Sequence, residues 1–123
     1  MKVLITGSTG FIGRHLVKRL KKEDVEITEI NSTNFDSMWS LEKNSYDCII
    51  HLAVKTAAGG YCQNHPGEQW IVNSSINVDM LAYWQQYQQR ATMITFGSSC
   101  GYNNEVKKIE PNYLKDEPET GYE

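Results

Sequence analysis

The sequence has few of the features that mark membrane, secreted or nucleic-acid-binding proteins. It has no apolar run near the roughly 20 residues that span a bilayer. The start, "MKVLITGSTG", does not fit a secretory signal, because its apolar part is short and runs into glycines. The formal charge is −3, which gives no overall basic surface for nucleic acid. We therefore expect a cytoplasmic protein that binds neither membrane nor nucleic acid.

Cysteine is also scarce. The chain has 3 cysteines, Cys48, Cys62 and Cys100, and their spacing matches no metal site. An odd number argues against a disulfide framework and favours free thiols in a reducing compartment. The sequence predicts no metal centre.

The apolar and glycine-rich stretches that are present indicate a single α/β domain of 123 residues. Short apolar runs predict strands at 2–6, 25–30, 47–54 and 91–96. Helical spacing begins at Phe11, a short helix is expected within 36–43, and a long helix is expected over 69–89. Residues 55–68 and 101–123 are predicted to be mostly loop.

The alternation of strand and helix is typical of a parallel sheet with helices on its faces. Right-handed crossovers lead us to expect the strand order 3-2-1-4, half of a doubly wound fold. In such a sheet the carboxyl ends of all strands open onto one crevice, where ligands bind.

The first strand meets the first helix through "TGSTGFIG". Gly7 permits a sharp turn off the strand, and Gly10 lets backbone approach a pyrophosphate without a Cβ in the way. Gly13 lets the helix pack closely on the strand. The helix N-terminus then supplies N–H groups for phosphates. Strand, glycine loop and helix together predict a dinucleotide site.

The residue that ends the second strand normally contacts the adenosine ribose. Here it is Asn31, which is neither the carboxylate typical of NAD nor the cation typical of NADP. Glu29 is expected to point away. Arg14 could reach a 2′-phosphate or could be an exposed helix residue. NAD and NADP both stay open, with a slight preference for NADP.

With these pieces placed, the chain resembles the N-terminal, Rossmann-like part of the extended short-chain dehydrogenases, the NAD-dependent epimerase/dehydratase family. "TGSTGFIG", "DCIIHLAV", "NSSINV" and "FGSSCGY" carry the resemblance over residues 1 to about 102. "HLAVKTAAGG" and "GSSCGY" are most similar to the GDP-L-fucose synthase branch, from which Gly101 and Asn103 depart. The resemblance implies an NAD(P)-dependent nucleotide-sugar epimerase/reductase. Another sugar-nucleotide epimerase or dehydratase, or a non-catalytic dinucleotide-binding module, is the alternative.

The resemblance also implies site residues. The implied cofactor contacts are Gly7, Gly10, Phe11, Ile12, Gly13, Asn31, Asp36, Leu52, Ala53, Val54, Lys55 and Asn73. Ser98 falls at the catalytic serine position, and Cys100 falls where the fucose-synthase branch has a cysteine thought to transfer protons. For Asn73, contact with a ligand and hydrogen bonding to loop backbone are equally expected. His51 is expected to be structural.

The family's Tyr-x-x-x-Lys unit is incomplete in this chain. A lysine four residues after Tyr122 would lie past Glu123, and the true tyrosine could also lie past the end. We therefore interpret residues 1–123 as a dinucleotide-binding fragment that lacks the substrate domain and binds its nucleotide-sugar only in a longer protein. The last strand would then be an exposed apolar edge, and such edges recruit partners. The sequence predicts self-association by this edge.

Overall fold

The computed structural model describes residues 1–56 and 60–97. The strands are β1 (Lys2–Thr6), β2 (Glu26–Ile30), β3 (Cys48–His51) and β4 (Thr92–Thr95). The helices are α1 (Phe11–Leu20), α2 (Tyr61–Asn64) and α3 (Pro66–Tyr87), and a 3₁₀ helix spans Phe35–Ser40. All strand pairs are parallel. The predicted α/β fold class is confirmed.

The predicted strand order was wrong. The sheet runs β2-β1-β3-β4, so β3 lies beside β1 and not outside β2. The reason is burial. Leu4, Ile5 and Ile49 are fully buried, so β1 and β3 need cover on both faces and both neighbouring edges. β2 carries the exposed Glu26 and the half-buried Glu29, which suit an edge strand.

Contacts of the segment between β2 and β3 explain why the chain crosses β1 before it forms β3. Met38 of the 3₁₀ helix is fully buried in the same cluster as Leu4 and Met80. The buried Gln88, just after α3, donates to the Glu42 carbonyl at 2.7 Å and accepts from the Ser45 N–H at 3.1 Å. The connection is thus held on the α3 face of the sheet and carries the chain past β1.

The two faces of β1 are covered by different helices. Leu4 packs in a cluster with Met80 and Tyr83 of α3, whereas Val3 and Ile5 pack with Val17 of α1. Successive side chains of a strand point to opposite faces, so α1 and α3 cover opposite sides of the sheet. The crossovers therefore diverge between β1 and β3, and this is the point where an open α/β sheet forms its ligand crevice.

Helix α3 begins three residues earlier than the predicted 69, at Pro66. Proline suits the first helical position because its missing N–H would have no partner there, and Glu68 in the first turn suits the helix dipole. The predicted loop over 55–68 also contains α2. Signals for this early start were present in the sequence at Pro66 and Glu68.

Within the described residues, β4 is an edge of the sheet, as predicted. Ile94 is 41% exposed, and Phe96 just beyond the strand is 63% exposed. Whether this edge pairs with another chain stays a prediction. The predicted loop over 101–123 lies outside the described residues. None of the described helices is long and apolar enough to cross a membrane.

Candidate functional site

The carboxyl ends of all four strands are aligned in one row. Thr6 pairs with Ile30 of β2 on one side and with His51 of β3 on the other, and His51 pairs with Thr95 of β4. The glycine loop follows Thr6 directly, and Asn31 follows Ile30. The register therefore places the predicted cofactor segments on a single edge of the sheet.

The glycine loop is packed so tightly that side chains are excluded. Gly7 has φ +68°, and a Cβ there would lie 2.7 Å from the Leu52 carbonyl carbon. A Cβ on Gly13 would lie 2.1 Å from the Gly7 carbonyl oxygen, and one on Gly10 would lie 3.2 Å from that oxygen. The first turn, the start of α1 and the chain after β3 thus meet backbone to backbone.

The start of α1 suits an anionic ligand. Its N-cap is Gly10, which has no side chain to accept from the first N–H groups, and the first turn holds no acidic residue. The Ser8 hydroxyl is buried and has no hydrogen-bond partner in the part of the chain that the structure describes. Phe11 and Ile12 are exposed at 74% and 58%. A dipole-favoured N-terminus without a protein acceptor fits a dinucleotide pyrophosphate.

Asn31 lies beside the glycine loop, because the Ser8 N–H donates to the Ile30 carbonyl at 3.1 Å. Its Oδ1 accepts from the Thr33 N–H at 2.9 Å and from the Thr33 hydroxyl at 2.7 Å. With its Oδ1 occupied, the Asn31 side chain can offer a ligand the N–H groups of its Nδ2. They would donate to ligand oxygens.

The charged residues near the end of β2 differ in their partners and exposure. Glu29 forms a 2.7 Å ion pair with Lys21, the residue that follows α1. Arg14 lies over the Phe11 ring, with 5.4 Å between the guanidinium carbon and the ring centroid. Asp36, predicted to contact adenine, is an exposed residue of the 3₁₀ helix.

His51 is buried in a polar chain that links β1, β3 and α3. Its Nδ1 lies 2.7 Å from the Thr6 hydroxyl, and its Nε2 lies 3.1 Å from Asn77 Oδ1. The Asn77 oxygen can only accept, so Nε2 carries the proton, and the Thr6 hydroxyl donates to Nδ1. The Ala53 N–H donates to the same hydroxyl at 3.2 Å.

Burial lowers the pKa of His51, although its hydrogen bond to Asn77 partly opposes this. The ring is therefore neutral in this network and holds the chain after β3 in place. Its geometry agrees with the structural role predicted for it.

Asn73 hydrogen-bonds to loop backbone, which was one of its two predicted roles. Its Oδ1 accepts from the Lys55 N–H at 2.7 Å, and its Nδ2 donates to the Lys55 carbonyl at 3.0 Å. The side chain thus acts as a short strand partner for Lys55 and positions the segment from Leu52 through the exposed Val54.

The Lys55 side chain bridges to the start of α3. Its Nζ donates to Glu68 and lies 5.7 Å from the Tyr61 ring centroid. The hydrogen bond to Glu68 raises the pKa of Lys55 and lowers that of Glu68. Lys55 therefore stays a cation at the end of β3 near neutral pH.

The predicted catalytic residues Ser98 and Cys100 lie outside the described residues, as does the side chain of Cys62. β4 ends in register with His51, so the chain leaves β4 at the same edge as the glycine loop. Burial, with a smaller effect of Asp47, raises the pKa of the Cys48 thiol, in keeping with an unreactive core cysteine. No group of three potential metal ligands occurs in ranges 1–56 and 60–97.

Sequence reasoning missed three positioning residues. Thr6, Asn77 and Glu68 each hold a predicted site segment. Asn77 and Glu68 lie outside the glycine motif and the "HLAV" run, and Thr6, although it opens "TGSTGFIG", was not expected to bond to His51 or Ala53. Asn77 and Asn73 are four residues apart on α3, and this spacing was the available signal for a shared face. The role of Thr6 requires the β1–β3 register, which the sequence does not contain.

Comparison with known proteins identifies relatives for this arrangement. The sequence model of the NAD dependent epimerase/dehydratase family matches residues 3–123. A GDP-6-deoxy-D-talose 4-dehydrogenase of Aggregatibacter actinomycetemcomitans is 37% identical over 82 residues, covering 60% of this chain and 27% of that protein. The GDP-L-fucose synthase branch is not singled out by these matches.

Solved structures share the fold. A dTDP-4-dehydrorhamnose reductase of Clostridium acetobutylicum superposes with TM-score 0.74 at 21% identity, over 99% of this chain and 45% of that one. The UDP-glucose 4-epimerase of Thermus thermophilus, in complex with NAD, gives TM-score 0.70 at 20% identity, over 99% and 46%. RMD of Pseudomonas aeruginosa, with NADPH, gives 0.70 at 21%, over 98% and 44%. The chain spans less than half of each relative.

The close packing at Gly13 predicts that alanine destabilises the fold at this position but not at Gly67, where the surroundings are open. In Gly13→Ala the new Cβ meets the Gly7 carbonyl at 2.1 Å, so α1 must shift, at a cost of about 1–3 kcal/mol in the free energy of unfolding. The control is Gly67→Ala in α3, where a Cβ has nothing within 4 Å. It should be neutral or slightly stabilising. Urea denaturation measures both, and equal effects would contradict the packing.

The buried His51 predicts a pH-dependent stability. Its pKa in the fold is lowered, so below about pH 6.5 the unfolded chain takes up a proton that the folded chain resists. The free energy of unfolding should therefore fall as the pH drops from 7 towards 5. Urea denaturation across this range should give a shallower fall for His51→Gln. A His51→Gln slope equal to the parent's would rule the explanation out.

Proposed function

Because this chain belongs to the NAD dependent epimerase/dehydratase family, whose sequence model matches residues 3–123, we propose that it is the dinucleotide-binding part of an NAD(P)-dependent nucleotide-sugar epimerase/reductase. The observation that carries the proposal is the backbone-to-backbone packing of Gly7, Gly13 and Leu52 at the point where α1 and α3 diverge. This packing leaves the uncapped start of α1 facing the shared edge, where a pyrophosphate would bind.

We assign the cofactor contacts along that edge. The residues of the glycine loop and the first turn of α1 bind the pyrophosphate. Asn31 binds the adenosine ribose, and Asp36 lies at the adenine. Leu52, Ala53 and Val54 line the path towards the nicotinamide, which supplies hydride transfer when bound. Lys55 lies at the nicotinamide side. Asn73 and His51 position this segment through their hydrogen bonds.

The preferred cofactor of this proposal is NADP. The Oδ1 of Asn31 is already used by Thr33, so its side chain offers donors rather than the carboxylate acceptors that suit a free 2′-hydroxyl. The nearest acidic side chain on β2, Glu29, is neutralised by Lys21. Arg14 near the start of α1 supplies a cation suited to a 2′-phosphate.

The proposed substrate is a GDP-4-keto-6-deoxy sugar. The "HLAVK" and "GSSCGY" stretches resemble the GDP-L-fucose synthase branch, and the 37% identical relative is named for a GDP-6-deoxy sugar. In this reading Ser98 holds the substrate carbonyl or hydroxyl and Cys100 transfers a proton. Residues 1–123 would form the cofactor domain. A tyrosine–lysine pair and a substrate-binding part would come from other sequence of a longer protein.

The assignment of Arg14 predicts cofactor discrimination. Arg14→Ala should weaken NADPH binding roughly 10-fold or more, because a charge-assisted contact to the 2′-phosphate is lost, and should leave NADH binding unchanged. Lys18→Ala, on the same helix and also exposed, is the control. Isothermal titration calorimetry gives both constants. Equal weakening of NADPH and NADH would remove Arg14 from the site, and failure of the parent to bind either would refute the cofactor proposal.

The substrate proposal predicts turnover by the product of the complete open reading frame. With GDP-4-keto-6-deoxymannose it should oxidise NADPH, and Ser98→Ala should lower kcat roughly 100-fold or more. Ser40→Ala, at an exposed residue of the 3₁₀ helix, should match the parent. Turnover of UDP- or dTDP-sugars alone would overturn the nucleotide assignment. NADPH binding without turnover of any of these sugars would instead identify a non-catalytic dinucleotide-binding module.

A further inference from the structure

Three amide side chains lie along one face of α3. Gln69, Asn73 and Asn77 are spaced four residues apart, and residues at this spacing share a helix face. Asn77 is bonded to His51 at the end of β3, and Asn73 is bonded to both backbone groups of Lys55. A helix rises about 1.5 Å per residue, so Gln69 lies about 6 Å beyond Asn73, on the side away from the strands. Gln69 therefore lies above the carboxyl edge of the sheet, where the ligand crevice opens.

Gln69 differs from the two asparagines in that its side-chain oxygen accepts no hydrogen bond. Its Oε1 is buried, and among residues 1–56 and 60–97 it has no hydrogen-bond partner. The residue as a whole is half-buried. An unpaired buried acceptor destabilises a fold, and such a group in a native structure calls for an explanation. A ligand that donates a hydrogen bond would supply the missing partner.

Two contacts of Lys55 place Gln69 beside it. The Lys55 Nζ donates to Glu68, which directly precedes Gln69 on α3. The Lys55 backbone is held by Asn73, one turn after Gln69. In the proposed function Lys55 lies at the nicotinamide side of the crevice. A ligand that reaches the Gln69 oxygen would therefore lie on the substrate side of the nicotinamide and not at the adenosine end of the cofactor.

The groups around Lys55 indicate which kind of ligand fits there. The Lys55 ammonium and the Glu68 carboxylate are paired, so their charges offset each other. Lys55 also lies 5.7 Å from the centroid of the Tyr61 ring, which is 4.7 Å from that of His65. The Tyr61 hydroxyl and the Gln69 amide are uncharged hydrogen-bonding groups. A neutral ligand with several hydroxyls suits these groups better than a phosphate, because the charge of a phosphate is best bound by a cation without another partner.

We propose that Gln69 is a specificity-determining residue of a sugar subsite, in which its Oε1 accepts a hydrogen bond from a hydroxyl of a hexose. The inference rests on the proposed function and adds a residue that recognises the sugar. A hexose is neutral and carries several O–H donors, so it can supply the donor that Gln69 lacks. The amide is held ready for this bond at some expense to the stability of the free protein.

The first test is the stability of the full chain without ligand. Gln69→Met keeps the length of the side chain and removes the unpaired acceptor, so the urea midpoint should stay the same or rise. Gln85→Met, at an exposed glutamine of the same helix, is the matched control, since the two residue types have similar helix propensity. A midpoint that falls for Gln69→Met alone would overturn the proposal, because another part of the chain would then supply the donor.

The second test is the kinetics of the product of the complete open reading frame. Gln69→Met should raise KM for GDP-4-keto-6-deoxymannose about tenfold or more, because a hydroxyl of the bound sugar loses its acceptor. It should change kcat little, since the bond is present in the bound substrate as well as in the transition state. The dissociation constant of NADPH should not change, and Gln85→Met should match the parent throughout.

The outcomes separate the subsite from the proposed function. If the parent turns over the sugar and Gln69→Met leaves KM unchanged, the subsite is overturned and the proposed function stands. If Gln69→Met weakens NADPH binding as much as it raises KM, the subsite is also overturned, because Gln69 would then contact the cofactor. A parent that binds NADPH but does not turn over this sugar would overturn the subsite and the proposed substrate together.

Discussion

The arrangement of this protein depends on the close approach of three backbone segments around the carbonyl of Gly7. A Cβ on Gly13 would lie 2.1 Å from that oxygen, and a Cβ on Gly7 would lie 2.7 Å from the Leu52 carbonyl carbon. Side chains at these positions would push α1 away from β1 and β1 away from the chain after β3. Because the glycines permit contact, the start of α1 is held at the carboxyl edge of the sheet, where the helix dipole and its N–H groups are useful to a phosphate.

A second layer of polar contacts makes that edge rigid. Thr6 joins His51 to the Ala53 N–H, and Asn77 holds the other side of the imidazole. Asn73 repeats the arrangement one helical turn earlier on α3 by pairing with both backbone groups of Lys55. In the described chain α3 thus positions the crevice with its inner face, while its outer face is apolar and exposed.

The motifs that depend on local chemistry were predictable. The glycine loop, the apolar β1 and β3 runs and the helical spacing of α1 each need only neighbouring residues, so the fold class and the cofactor segments could be expected before the structure was known. The strand order could not be derived in the same way, because right-handed crossovers allow β3 on either side of β1–β2. The burial of Met38 on the α3 face and the tie from Gln88 to Glu42 carry the chain across β1.

The sequence by itself therefore determined which segments become strands, which segments form the glycine loop and which family the chain resembles. These properties rest on residue type and short-range spacing. Only the tertiary structure decided the sheet order, the use of Asn73 as a backbone clamp and the neutral, buried state of His51. It also decided that Ile71 and Val78 on the outer side of α3 are exposed. Each of these depends on which residues from distant segments meet, and that is set by register and packing and not by local pattern.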